Sequence, residues 1–342
     1  MELQVISTHN NNKNNNTLLD TGLNLQEVKR QDEKKYQITP FILSNTKEVT
    51  YEHLKNDTII PVFAKDNEKT IAHHEFIDIT LESISEIFNN YHIDSPEIRA
   101  SHIIKGRIPS AIHKSVKELL PTEKTIYYER MAFIVRIPEI TETINGNEMA
   151  LTIGGVRAYN TENLYSRKNF EKFKFFIGFQ NMVCCNMTIS TDGSKDDIRV
   201  TNIINLKKLI KEIITNYNIE KHIKSLSRLS EVYMTEKQFA QLIGKSKLYN
   251  YLPVNEKNKL PKLLLNDSQI STIAKEYYND ENFARNSNGN INLWNVYNLF
   301  TGANKSSYID KFVSRGINAY EFSLGILKAL DGKDSSYHWF LG

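Results

Sequence analysis

Four short stretches hold residues whose types and spacing could do chemistry. In "KDNEKTIAHHEF", Asp66, Glu68, His73, His74 and Glu75 fall within ten residues. Carboxylates at a turn with an imidazole nearby could hold Mg²⁺ or Mn²⁺ for phosphodiester hydrolysis, with Asp66, Glu68 and His73 as ligands. Against that, adjacent histidines on a strand diverge, no second Cys/His group stands at ligand spacing, and Asp66-Asn67 is ordinary turn chemistry. In "SHIIKGRIPSAIHK", Lys105, Arg107 and Lys114 surround Gly106 just before an expected helix. A glycine turn feeding a helix N-terminus can offer backbone N–H groups and cations to a phosphate, and a solvated loop explains the same residues. "TGANKSSYID" has Asn304 where a phosphate loop requires its second glycine, so a nucleotide-hydrolysing loop is rejected in favour of a helix–helix corner.

The fourth stretch is "YSRKNFEKFKFFIGF", Tyr165 to Phe179, where Arg167, Lys168, Lys172 and Lys174 interleave with aromatic rings. Its meaning depends on the elements that hold it. Between Met131 and Ser190 the odd positions of four segments are apolar: Met131, Phe133, Val135, Ile137; Met149, Leu151, Ile153; Phe173, Phe175, Ile177, Phe179; Val183, Cys185, Met187, Ile189. Period-two alternation in successive segments predicts an antiparallel sheet with one buried face. Asn145-Gly146 marks a two-residue hairpin, and Asp192-Gly193 marks the exit from the fourth strand.

The even positions then form the second face, with Ala132, Ile134, Arg136, Thr152, Lys172, Lys174 and Phe176 on it and Arg157, Tyr159 and Tyr165 beside it. Scattered rings within a cationic rim are how several modules bind single strands, bases stacking on rings while Lys and Arg neutralise phosphates. Lysines outside a strand also simply keep it soluble, and the C-terminal helices could cover the same face. Both readings stand at this level.

Elsewhere the pattern predicts a strand at Thr58–Phe63, a turn at Lys65–Glu68 and a second extended segment. Leu81, Ile84, Ile87 and Phe88 share a helical face, and a helix is expected from Pro109 to Pro121. After Leu206 the stretches "INLKKLIKEIITNY", "TEKQFAQLIGKSKLYNYL", "DSQISTIAKEYYND", "INLWNVYNLFTG", "SSYIDKFVSRG" and "INAYEFSLGILKAL" read as helices, with caps at Asp267 or Ser268 and at Ser307 with Asp310. The expected class is α+β: an Asn-rich flexible tail over 1–35, an antiparallel-sheet domain over 36–205, and a mainly helical part over 206–342.

Composition excludes little beyond extremes. The chain has 342 residues, 43 Lys+Arg against 40 Asp+Glu, so its net charge of +3 permits an anionic partner without requiring one. Two adjacent cysteines, Cys184 and Cys185, give no disulfide framework and suggest a reducing compartment. No secretory leader and no membrane-spanning run is expected.

The phrases "IIPVFAKDNE", "SHIIKGRIPSA", "KTIYYERMAF", "GGVRAYNTENLYS", "FIGFQNMVCCN", "NLWNVYNLFTGANKSSYID" and the closing "WFLG" resemble a family of unknown function from phages and integrative elements of Bacteroidota. "NMVCCNM" and "LWNVYNLFTG" are more distantly similar to the phage/plasmid-like protein family. The resemblance implies a mobile-element protein in the bacterial host cytoplasm, encoded near replication or recombination genes. It supplies no activity, no cofactor and no catalytic residue.

The leading expectation is a non-enzymatic binder of single-stranded DNA or RNA. Arg136, Arg157, Arg167, Lys168, Lys172 and Lys174 would contact phosphates, Tyr159, Tyr165 and Phe176 would stack on bases, and Lys105, Arg107 and Lys114 would form a secondary phosphate site. A protein-interaction module acting on a host factor would instead use Tyr127, Tyr128 and Trp339 as anchors. A metal-dependent nuclease on Asp66, Glu68 and His73 is the third reading. A homo-oligomer is compatible with all three.

Overall fold

A computed structural model describes residues 39–60, 70–161 and 170–342. The tail over 1–35, Asp66 and Glu68 of the proposed metal set, and Tyr165, Arg167 and Lys168 lie outside the described residues.

Alternation between apolar and other residues builds one six-stranded sheet. Its strands are β1 (Lys47–Glu48), β2 (Glu97–Ala100), β5 (Arg130–Ile144), β6 (Asn147–Ala158), β7 (Glu171–Asn181) and β8 (Met187–Val200). They lie side by side in the order β1-β2-β5-β6-β7-β8, with every neighbouring pair antiparallel. β3 (Ile103–Arg107) and β4 (Lys124–Tyr128) form a separate two-stranded arm between β2 and β5. Asn145 (φ 49°) and Gly146 (φ 78°) turn β5 into β6, both in the left-handed region that a two-residue hairpin demands.

The odd-numbered residues from Met131 to Ile137 of β5, Met149 to Ile153 of β6 and Phe173 to Phe179 of β7 face the main apolar core, as the alternation predicts; beyond a bulge after Ile137 the even-numbered Ile144 joins it. Helix α2 (His73–Ile87) lies on this face, with Phe76 edge-on to Phe133 and Phe173. It follows the six-residue helix α1 (Tyr51–Asn56). Helices α3 (Ile203–Asn216), α4 (Ile219–Glu231), α5 (Glu236–Tyr251), α6 (Asp267–Asn279) and α7 (Leu293–Asn304) extend the same core without a break. Helix α8 (Ile309–Leu330) closes the other face. Its N-terminal half places Ile309, Phe312 and Val313 against Ala132, Ile134, Val156 and Phe176, helped by Phe41 and Ile42 from the chain before β1.

Several sequence expectations are corrected. "SSYIDKFVSRG" and "INAYEFSLGILKAL" form one helix, and Gly316 is a contact point rather than a break. A Cβ there would lie 3.2 Å from Ile189 Cδ1, so the missing side chain lets α8 approach β8. The segment after residue 70 is helix α2 instead of a strand, because His73, Phe76, Ile77, Thr80 and Ile84 recur on one helical face that the sheet buries. "VCC" is no strand. β7 stops at Asn181, Val183 N–H donates to Asn181 Oδ1 at 2.9 Å, and Cys185 turns the chain at φ 58°.

That turn shifts the parity of β8: Gly178 faces Ile189 and Phe179 faces Thr188, so Met187 and Ile189 belong to the second face. β8 continues past Asp192-Gly193, which lie in a bulge where residues 190–193 stand opposite Ile177 alone. The expected caps move as well: Asn266 caps α6, and Ser307 bonds Asn304 Oδ1 instead of opening α8. Helix α4 was not foreseen from the sequence, although it is amphipathic.

Two histidines sit in the core. His73 Nε2 donates to the Tyr128 carbonyl at 2.8 Å and its ring stacks on Tyr159 at 4.5 Å; His222 Nδ1 lies 2.6 Å from the Tyr217 hydroxyl. Burial holds both imidazoles neutral, at a pKa of about 3. The unfolded chain therefore binds protons more readily below the ordinary histidine pKa, and stability falls as pH drops from about 6.5 towards 3. Each should cost about 2 kcal/mol at pH 5 relative to pH 7.5. Urea unfolding at both values should show this loss, and His222→Gln, although less stable at pH 7.5, should lose roughly half of the pH dependence. An unchanged dependence in that variant would contradict a buried neutral His222.

Candidate nucleic-acid interface

The register gathers one set of strand ends in a single place. Ala100 lies opposite Met131, Arg130 opposite Ala158, Arg157 opposite Phe173 and Glu171 opposite Val200. The arm β3–β4 rises from this end, because Ser101 N–H donates to the Arg130 carbonyl at 2.9 Å directly before β3. The start of α8 arrives here too, with Asp310 Oδ1 3.7 Å from Arg130 Nε.

Where the ends of β6, β7 and β8 meet the start of α8 is an open groove of about 220 Å³. Four cations line it from three elements: Lys172 and Lys174 of β7, Arg199 of β8 and Lys311 of α8. Asp196, Asp197 and Asp310 alternate with them, and Val156, Ala158 and Phe173 form part of the floor. Lys172 donates to the Thr161 carbonyl at 2.9 Å and Lys174 to the Ser314 hydroxyl at 2.7 Å. Burial pulls the Lys174 ammonium below the usual lysine range, against the pull of nearby Asp196. Arg199 pairs with Asp197 at 2.9 Å, and Lys311 is exposed with its Nζ 3.8 Å from Asp310. A ligand phosphate would compete with the Ser314 hydroxyl at Lys174, with the exposed Asp197 carboxylate at Arg199 and with Asp310 at Lys311.

The remaining expected contacts distribute unevenly. Phe176 is 1% exposed beneath Phe312 and its neighbours, so it cannot stack on a base. Tyr159 is also buried, against His73. Arg157 is fully buried, pairs with Glu171 at 2.5 Å and lies 4.0 Å over the Phe173 ring, which makes it a core cation rather than a phosphate contact. Arg136 stands farther along β5 opposite Thr152, bonded to Asp94 at 3.2 Å and Gln180 at 3.3 Å, away from the groove. Lys172 and Lys174 alone of the described set reach it. Arg199 and Lys311 were missed; alternation of Ile198 and Val200 points Arg199 outward, whereas Lys311 joins only through the packing of α8.

The secondary set falls on the arm, with a changed local structure. Gly106 is inside β3 opposite Thr125, and no helix follows. Single 3₁₀ turns occupy Pro109–Ala111, Val116–Glu118 and Pro121–Glu123. Glu118 accepts from Ser115 N–H and Glu123 from Leu120 N–H, each closing a short turn, and no core covers the apolar positions that a helix would need to bury. Lys105 is exposed, while Arg107 donates to the Lys114 carbonyl and Lys114 pairs with Glu123 at 2.5 Å.

The aromatic anchors imagined for a protein partner are mostly occupied. Tyr128 is buried, and Trp339 is half-buried with Lys245 4.8 Å over its ring. Tyr127 is half-buried, with its ring centroid 6.3 Å from Tyr159. His73 spends Nε2 on a carbonyl, and among the described residues no three His, Cys, Asp or Glu side chains group to hold a metal ion. Also among the described residues, no helix is long and apolar enough to cross a membrane.

A family model described as a domain of unknown function with a B. theta gene description, DUF3871, matches residues 24–341. The chain belongs to this family. The match takes in the sheet, the groove, the arm and the C-terminal helices together. No curated protein and no solved structure matches the chain.

The burial of Arg157 separates folding from binding. Arg157→Ala would leave Glu171 without its guanidinium and should destabilise the chain by about 3–5 kcal/mol in urea unfolding. A stable variant with nucleic-acid affinity alone reduced would restore Arg157 to the binding set.

Proposed function

We propose that this chain binds single-stranded nucleic acid without transforming it, with the phosphates held in the groove at the basic end of the sheet. The observation that carries the reading is the convergence of Lys172, Lys174, Arg199 and Lys311 from three elements on one open groove. The three interleaved aspartates lower the net field, so the groove suits a few phosphates of a flexible strand better than the dense charge of a duplex. In this reading the protein serves recombination or replication of a phage or other mobile element in the bacterial host cytoplasm, as an annealing or protecting factor. The resemblance described above supports that setting. Oligomerisation along a strand is compatible with it.

A second reading, a module that binds a host protein, is favoured by a different observation. Leu248, Tyr251 and Val254, at the end of α5 and just after it, are 60%, 76% and 74% exposed. Capture of one host protein that survives nuclease treatment and is lost in Tyr251→Glu would favour it.

Fluorescence anisotropy with a labelled single-stranded oligonucleotide, titrated against salt, tests the first reading. With about three phosphates held, log Kobs should fall against log salt with a slope near −2, and Lys172→Gln with Lys311→Gln should bring that slope to about −1. Absence of binding at low salt, or an unchanged slope in a folded variant, would refute it.

A further inference from the structure

The arm has two features that the groove does not explain. Residues 103–128 contain Lys105, Arg107, Lys114, Lys117 and Lys124 against Glu118 and Glu123, a net +3 that equals the net charge of the whole chain. The same stretch also exposes three large aliphatic side chains within nine residues: Ile112 at 65%, Val116 at 70% and Leu120 at 56%. Most aliphatic side chains of this size among the described residues are at least partly buried, Ile204, Leu248 and Val254 being other exposed ones, and here the short 3₁₀ turns hold three of them outward at the end of a two-stranded ribbon.

We propose that the β3–β4 arm is a wedge whose aliphatic tip inserts between stacked bases where a duplex opens into the single strand held by the groove. This rests on the reading of the groove as a nucleic-acid site. The charge of the arm selects the partner: Lys105, Lys117 and Lys124 are exposed and complement phosphates on either side of an inserted side chain. Aliphatic wedges flanked by cations unstack base steps in this way, the cost of unstacking being offset by new contacts to the opened strand. Position supports the pairing of the two features. The arm and the groove rise from the same end of the sheet, through Ser101, Arg130 and Ala158, so one nucleic-acid molecule can engage both. Arg107 and Lys114 are positioning residues in this arrangement: the bond from Arg107 to the Lys114 carbonyl and the Lys114–Glu123 pair tie the tip to the ribbon.

The test uses the full chain and a forked DNA oligonucleotide with 2-aminopurine at the junction base pair, whose emission rises on unstacking. Binding of the unaltered protein should raise the emission by roughly two-fold or more, and Ile112→Ser with Val116→Ser and Leu120→Ser should abolish the rise. The same variant should bind a plain single strand within about two-fold of the parent, because the groove is untouched. Circular dichroism should show an unaltered fold, since all three positions are exposed. Several results overturn the wedge: no rise with the parent protein while single-strand binding persists, or a rise that the serine variant preserves. A shift of the serine variant from dimer to monomer in light scattering would reassign the tip to contacts between copies. Failure of the parent to bind either oligonucleotide would remove the groove reading together with the wedge.

Discussion

The close approach of helix α8 to the sheet at Gly316 is the contact on which the rest depends. A Cβ at that position would stand 3.2 Å from Ile189 Cδ1, so glycine suits the close packing there, one turn on from Ile309, Phe312 and Val313 resting on Ala132, Ile134 and Phe176. Both faces of the sheet are then buried along most of their length, one by α2 and the C-terminal helices and the other by α8. Burying four or five large apolar side chains on the second face contributes on the order of 10 kcal/mol before entropy is counted. The same helix also delivers Asp310, Lys311 and Ser314 to the strand ends. The packing contact and the groove thus share the first two turns of one helix.

This arrangement decides how the aromatic-cationic strand should be understood. "KFKFFIGF" has its rings on both faces of a covered strand, and its two lysines, Lys172 and Lys174, reach beyond the cover. A flat sheet face that stacks bases is therefore replaced by a polar groove at the margin, with apolar floor and cationic walls. The acidic residues of β8 serve a second purpose. Lys195, Asp196, Asp197 and Arg199 are exposed along an edge strand of the sheet, where charged side chains discourage pairing with another chain.

Much of the sheet was legible because alternation is a local signal. Phe133, Leu151 and Phe175 announce their face without knowledge of their partners, and Asn145-Gly146 announces its turn. The second face was not legible, because Ala132, Ile134 and Phe176 carry no mark of what covers them; that information resides in α8, over a hundred residues away. Residues 109–121 misled for the converse reason. Ile112, Val116 and Leu119 have helical spacing, but no core receives them, and Glu118 and Glu123 satisfy turns instead. Arg157 misled because a cation buried over Phe173 cannot be told from an exposed one by spacing. Of the candidate site, Lys172 and Lys174 were readable from strand alternation, while Lys311 required the tertiary contact.

The central claim is that nucleic acid contacts the strand ends beside α8. Hydrogen–deuterium exchange with and without a single-stranded oligonucleotide locates the contact directly. Exchange should slow in peptides covering 171–175, 196–200 and 309–314, with the interior of β5 and β6 unchanged. Protection confined to other surfaces, such as the end of α5 around Tyr251, or no protection despite saturating ligand, would contradict it.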